Sequence, residues 1–218
     1  GLASVVAALA LLPVSGASAP LSFSGDLILF AYCLGLMRFF TVVAALDTGS
    51  SFEGMGASRE VQFSALAEPA LILGLATLAR VTGSLSLTGI FSGLAEPAWL
   101  ATGPALVLVS VALLIVFLAE NARIPVDDPN THLELTMIHE VMVLDYSGPD
   151  LAVILYGASL KLWVLGALVV NVALSCLGLS GAAALGGFAA GMIVLAVGVG
   201  IIESIMARLS LLRVPQLL

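Results

Sequence analysis

ATGPALVLVSVALLIVFLAENARIPVDDP, residues 101–129, changes solvent part-way along its length. From Ala101 to Ala119 it carries no charge, whereas Glu120, Arg123, Asp127 and Asp128 follow within nine residues. Pro125 and Pro129 forbid regular helix throughout the second half, because proline lacks an N–H and its ring blocks the preceding turn. Crossing a bilayer core takes about 20 apolar residues of helix, and the run 99–121 has that length. It is continuous rather than alternating, and too long for a barrel strand. The stretch reads as a membrane-crossing helix that delivers an acid, Glu120, to its polar end.

The rest of the chain has the same character. Of its 218 residues 61% are hydrophobic and 10% charged, with mean hydropathy +1.18, whereas a soluble domain is about half apolar and about a quarter charged. Apolar runs recur at roughly 1–15, 25–46, 61–81, 99–121, 150–176 and 184–207. The expected fold is therefore all-α: a polytopic transmembrane helix bundle of about six spans, forming one membrane domain over 1–218. Small residues, as in GGFAAGMIVLAVGVG at 186–200, suit helices that pack closely on other helices. No internal repeat suggests an inverted-repeat transporter. The opening GLASVVAALALLPVSGASA lacks the basic flank of a signal peptide; the expectation is a sequence that begins partway into the protein and whose Leu218 need not be the true C-terminus.

The net charge of −7 does not offer the basic face that nucleic acid requires. Cys33 and Cys176 are far apart, with no metal or disulfide spacing, and read as small buried hydrophobes. Arg59, Arg123, Arg208 and Arg213 collect in 47–60, in 122–149 and in the tail after 207. The opposing loops 16–24, 82–98 and 177–183 hold no Lys or Arg, although Arg80 lies at a helix end there. By the positive-inside rule the first three regions are cytoplasmic.

Ionisable groups in hydrocarbon are costly, so they face a packed interior or water and usually serve function. Arg38, Glu68, Glu120, Lys161 and Glu203 are the members of that set. Glu120 and Glu203 lie near helix ends, where snorkelling or pairing with Arg123 or Arg208 is the alternative to a functional role. Glu68, which precedes Pro69, and Lys161, the deepest charge, are harder to excuse. Arg38 either neutralises a neighbouring carboxylate or takes part itself.

The acidic loop 122–149 contains both histidines. Within it THLELTMIHEVMVL, 131–144, fits a short amphipathic helix capped by Asn130 or Thr131. His132, Thr136, His139 and Val143 then share a side; Leu135, Ile138 and Met142 form an apolar stripe, flanked by Glu134 and Glu140. The histidine spacing does not suit zinc. His and Glu interleaved beside Glu120 and Glu68 read as a proton-exchanging chain, since clustered carboxylates repel and share protons. The plain alternative is a solvated acidic loop.

AENARIPVDDP…HLEL…HEVMVLDYSG resembles the central loop of subunit 1 of respiratory complex I. The matching residues are Glu120, Arg123, Pro125, Asp127, Glu134, Asp145, Tyr146, Ser147 and Gly148. DTGSSFEGMGASREVQFSALAEP, 47–69, fits the same family's Gly-Ala-x-Arg pattern and its intramembrane Glu, here Arg59 and Glu68. LDTGS, MGASRE, the run RIPVDDPNTHLELTMIHEVMVLDYSGPDL and the tail ESIMARLSLLRVP look closer still to the membrane subunits of formate hydrogenlyase and other membrane-bound nickel–iron hydrogenases. That resemblance spans about 25–215. It implies a family bundle of about eight helices that docks a soluble electron-transfer module and carries a chain of carboxylates toward antiporter-like subunits. Glu68, Glu120 and Glu134 match positions in that chain.

Taken with the charges above, the expected proton or sodium pathway is Glu68, Glu120, Asp127, Glu134, Glu140, Lys161 and Glu203. Arg38, Arg59, Arg123, His132, His139, Asp145 and Arg208 are the expected charge partners and docking residues. The chain departs from complex I at Asn130 and His132, where acids are common, and at Lys161, where a Glu is expected one turn earlier, near Ala158. Both departures argue against ubiquinone binding. With no cysteine cluster or nucleotide loop, the chain is expected to bind no cofactor or metal and to be a non-catalytic subunit. The implied partners are hydrogenase large and small subunits and an iron–sulfur subunit, which bring the nickel–iron centre and iron–sulfur clusters, with antiporter-like subunits and lipid around them in the cell inner membrane. The alternatives are a quinone-binding complex I subunit, a stand-alone ion transporter and a purely structural anchor.

Overall fold

The computed structural model describes residues 1–14, 16–123 and 138–205. Among them the chain is helical without strands: α1 Leu2–Leu11, α2 Asp26–Asp47, α3 Ser51–Thr82, α4 Leu87–Gly93, α5 Glu96–Glu120, α6 Gly148–Leu174 and α7 Gly181–Ile205. Five helices (α2, α3, α5, α6 with its 3-10 extension to Leu177, and α7) are long and apolar enough to cross a membrane. α1, with 10 residues, reaches only about 15 Å at 1.5 Å per residue. The protein is a multi-pass helical membrane bundle.

Two expected loops are corrected. The segment 47–60 is mostly helix: α2 ends at Asp47 and α3 begins at Ser51. Gly49, at φ 69°, makes the reversal in the left-handed region that glycine tolerates, and Ser50 occupies the extended N-cap position. The segment 82–98 holds α4, whose Leu87 and Ile90 are fully buried. Cys176 is also corrected: it is exposed, while Cys33 is buried. The amphipathic helix expected at 131–144 lies largely outside the described residues. Its described end is a 3-10 turn at Val141–Val143, and the expected apolar stripe is buried there through Ile138 and Met142.

Lipid is as apolar as leucine, so close packing rather than the hydrophobic effect holds such helices together. α3 lies against both α2 and α5, and α6 bridges α1, α5 and α7. A methyl on Gly74 of α3 would stand 3.1 Å from the Leu113 side chain of α5, which shows how near the two backbones come. Pro69 interrupts the bonding of α3 next to Glu68, and Pro104 that of α5, where Thr102 leaves helical geometry and kinks the helix. Leu73, Leu108 and Val194, all mostly exposed, point outward as a lipid-facing surface should. At one end of the bundle buried Asp26 accepts the Leu87 N–H at 2.6 Å and the Ser86 hydroxyl at 2.8 Å, tying α4 to α2. The opposite end carries the functional candidates.

Candidate functional site: a buried ion-pair cluster

α5 closes in a Schellman turn. Asn121 caps it, Ala122 adopts a left-handed φ of 46°, and the Arg123 N–H returns to Leu118 O at 2.9 Å. This turn leaves Glu120 facing inward, 4% exposed, and sends Arg123 toward α7.

Arg38 of α2 is the hub. It is 6% exposed, and each of its nitrogens faces a different carboxylate: Nη1 donates to Glu68, Nη2 to Glu120, and Nε lies 3.4 Å from Glu60. The planar guanidinium presents its donors as a fixed fork, which suits it to such sharing. Lys161 of α6, 3% exposed, donates to the Glu120 carbonyl at 2.7 Å and lies 3.0 Å from the Glu120 carboxylate. The other Glu120 oxygen, Oε1, is buried without a hydrogen-bond partner. His139 approaches Glu60 at 3.6 Å, too far for a hydrogen bond but close enough for charge to matter. Four helices and the returning loop thus converge on one polar cluster.

Glu68, Glu120, Lys161, Arg38 and His139 are brought together as expected sites. Glu203 is not: it pairs with Arg123 at 3.4 Å, so Lys161 answers to Glu120 and not to Glu203. Glu140 is exposed and shares a cavity wall with Lys161 and His139. Arg59 is half-buried on α3, and the Asp145 side chain is exposed. Asp127, His132, Glu134 and Arg208 lie outside the described residues.

Sequence reasoning missed Glu60 and Glu53, because both were placed in a loop. The available signal was helical spacing: Glu53, Gly56, Ala57 and Glu60 continue backward the buried stripe of Ala67, Leu71, Gly74 and Leu78. Glu53 is fully buried and accepts the Asp145 N–H at 2.8 Å. Tyr146 donates its hydroxyl to Ala44 O at 3.0 Å. Burial, and then the carboxylates of Glu53, Asp47 and Asp150, push the Tyr146 phenol above its ordinary value.

Two cavities meet the cluster. One of about 490 Å³ runs between α2 and α3, walled by residues such as Leu27, Ala31 and Leu71, and ends on Arg38, Glu68 and Glu120. The other, about 440 Å³ and more polar, lies on the far side of the cluster, against Lys161, Arg123, His139 and Glu140. Among the described residues no three His, Cys, Asp or Glu side chains stand as a metal site.

The family model described as NADH dehydrogenase matches residues 1–218. The chain belongs to the NADH dehydrogenase family. Over 162 residues it is 40% identical to hydrogenase-4 component C of Escherichia coli (strain K12), covering 73% of this chain and 49% of that protein. Over 151 residues it is 37% identical to formate hydrogenlyase subunit 4 of the same strain, covering 69% and 48%. The chain therefore spans about half the length of the curated relatives it matches. Within this member of the NADH dehydrogenase family, the conspicuous chemistry is three carboxylates and two cations joined where hydrocarbon meets a polar loop.

Proposed function

We propose that this chain is the membrane subunit of a hydrogenase-type complex and couples electron transfer in a soluble nickel–iron and iron–sulfur module to proton or sodium movement. The observation that carries the reading is the set of Glu60, Glu68 and Glu120 gathered on Arg38 and Lys161 where four helices meet, with Glu60, Glu120 and both cations buried and Glu68 half-exposed. A mere anchor has no use for three acids there, each costly to keep in apolar surroundings. Such a cluster has several near-equivalent charge arrangements, and a redox change at the adjoining loop biases which is favoured. The names of the two bacterial relatives direct the choice of redox partner.

The loop 122–149 and the tail after 207 are the proposed docking surface for the hydrogenase subunits on the cytoplasmic side of the cell inner membrane, with antiporter-like subunits alongside in the membrane. Cross-linking from exposed Glu140 or Asp145 should capture the soluble module; capture only from the 82–98 side reverses the orientation. The coupling test is simultaneous measurement of electron transfer and ion movement by the complex reconstituted in vesicles. No ion movement in tight vesicles at full electron-transfer rate refutes it.

Quinone reduction is the second reading, and the apolar cavity ending on Arg38 favours it. Its walls stop at Glu120 and take in no described residue of the 138–147 segment. Reduction of an added quinone by the purified complex, abolished by filling the cavity with Ala31→Phe, would select that reading.

A further inference from the structure

We propose that Glu60 and His139 form the site through which the cluster takes up its exchangeable proton from the aqueous side. The proposal deepens the coupling reading above and rests on it. Charge balance comes first. Among the described residues, and in the ion pairs set out above, Glu60, Glu68 and Glu120 face two permanent cations, Arg38 and Lys161, which leaves one negative charge for a proton to balance.

The three acids are not held alike. Glu120 is gripped by both cations and is 4% exposed. Glu68 is bonded directly to Arg38 and opens on the apolar cavity. Glu60 is buried but loosely held, 3.4 Å from Arg38 and 3.6 Å from His139. It therefore gives up least when it exchanges a cation's field for a proton.

Access comes second. The His139 side chain is 33% exposed and lines the polar cavity on the side of the cluster away from Glu68. Among the described residues, the charged groups around the pair include Arg38 from α2, Lys161 from α6, Arg59 next to Glu60 on α3, and Arg123 and Glu140 on the cavity wall. Imidazole is the side chain suited to relaying protons near neutral pH. The step moves one proton and no electrons: hydronium in the cavity gives a proton to the imidazole and leaves water, an O–H bond breaking as an N–H bond forms; when the pair closes from 3.6 Å to hydrogen-bond distance, that N–H bond breaks as an O–H bond forms on Glu60. Glu60 then competes less for Arg38, whose contacts with Glu68 and Glu120 tighten.

The test uses the whole complex in four forms: wild type, Glu60→Gln, His139→Gln and Glu68→Gln. Infrared difference spectra between acidic and alkaline buffer read carboxyl protonation directly. The expected result is a protonated-carboxyl band that is lost in Glu60→Gln, shifted in His139→Gln and retained in Glu68→Gln. Absence of that band from the wild type, or its persistence unchanged in Glu60→Gln or His139→Gln, overturns the proposal. If Glu60→Gln fails to assemble, the more exposed His139→Gln decides alone. Proton uptake per electron, measured in vesicles, should be lost in both variants. Wild-type vesicles that move neither protons nor sodium would refute the coupling function, while the infrared bands would still decide whether Glu60 and His139 exchange a proton.

Discussion

Replacing Arg38 by methionine removes the one group among the described residues that touches all three acids. Breaking a buried ion pair by deleting one partner costs about 3–5 kcal/mol. Three features put this substitution at the lower end. Glu120 keeps Lys161 at 3.0 Å. Glu60 keeps His139 at 3.6 Å. The Glu68 side chain is 47% exposed, opening on the cavity between α2 and α3 rather than confined in the packed core, so its share is discounted. The expected loss is about 3 kcal/mol. Arg38→Lys should lose less, about 1–2 kcal/mol, because one ammonium replaces some but not all of the charge-assisted bonds. Adding Glu120→Gln to Arg38→Met removes a charge that no longer has its full set of partners, so the double variant should lose less than the sum of the singles. Denaturant-induced unfolding of the assembled complex in detergent reads the wild type, Arg38→Met, Arg38→Lys, Glu120→Gln and the double variant on one scale. An Arg38→Met protein as stable as wild type, in a complex that still assembles, would show that these pairs are not made in the folded protein.

Lys161→Met should lower the ratio of ion movement to electron transfer in reconstituted complex, since Glu120 would be left to Arg38 alone; an unchanged ratio makes Lys161 a structural counter-charge. Glu53→Ala should cost about 1 kcal/mol by removing the acceptor of the part-buried Asp145 N–H, with Glu53→Gln largely sparing it; equal losses would count against the hydrogen bond. The raised Tyr146 phenol contributes stability that is present below about pH 10, the ordinary tyrosine value, and is lost as pH rises through the folded value. Tyr146→Phe should flatten that alkaline loss, and an unaltered pH profile contradicts the assignment. A methyl on Gly56 would stand 3.0 Å from Ile138 O and from the Met142 side chain, so Gly56→Ala should cost about 1–3 kcal/mol by overpacking and draw His139 away from Glu60; wild-type stability and coupling together would contradict that packing.

The spans were legible because twenty apolar residues in a row admit few structures, and α2, α5, α6 and α7 lie close to the expected runs. The start of α3 was hidden because Glu53, Arg59 and Glu60 make it polar, and a hydropathy reading ends a span where charges begin. Helical spacing of Gly56, Ala57 and Glu60 carried the information, since a half-submerged helix keeps its periodicity after it loses its apolar bulk. Glu68, Glu120 and Lys161 stood out as charges in apolar surroundings. Their pairing did not, because residues 41 positions apart, such as Lys161 and Glu120, meet only through packing that no local pattern records. Arg38 was legible as a cation but not as a hub, for the same reason.

The length of α3 explains why the cluster sits where it does. At 32 residues and 1.5 Å per residue it measures about 48 Å, against about 30 Å for a hydrocarbon core. If Thr82 marks one boundary, the other falls about 20 residues back, close to residue 62. Glu60 then lies at the edge of the core on the polar side, and Glu68 lies about 9 Å inside it. Arg38 touches both, so it spans the boundary with one guanidinium. A proton gained or lost at Glu60, buried beside half-exposed His139, is felt through Arg38 at Glu68 on the hydrocarbon side of the cluster. A helix shorter by three turns would bury Glu60 or expose Glu68, and in either case both acids would lie in one solvent. The overlong polar start of α3 is therefore what lets a single cluster face water at one end and lipid at the other.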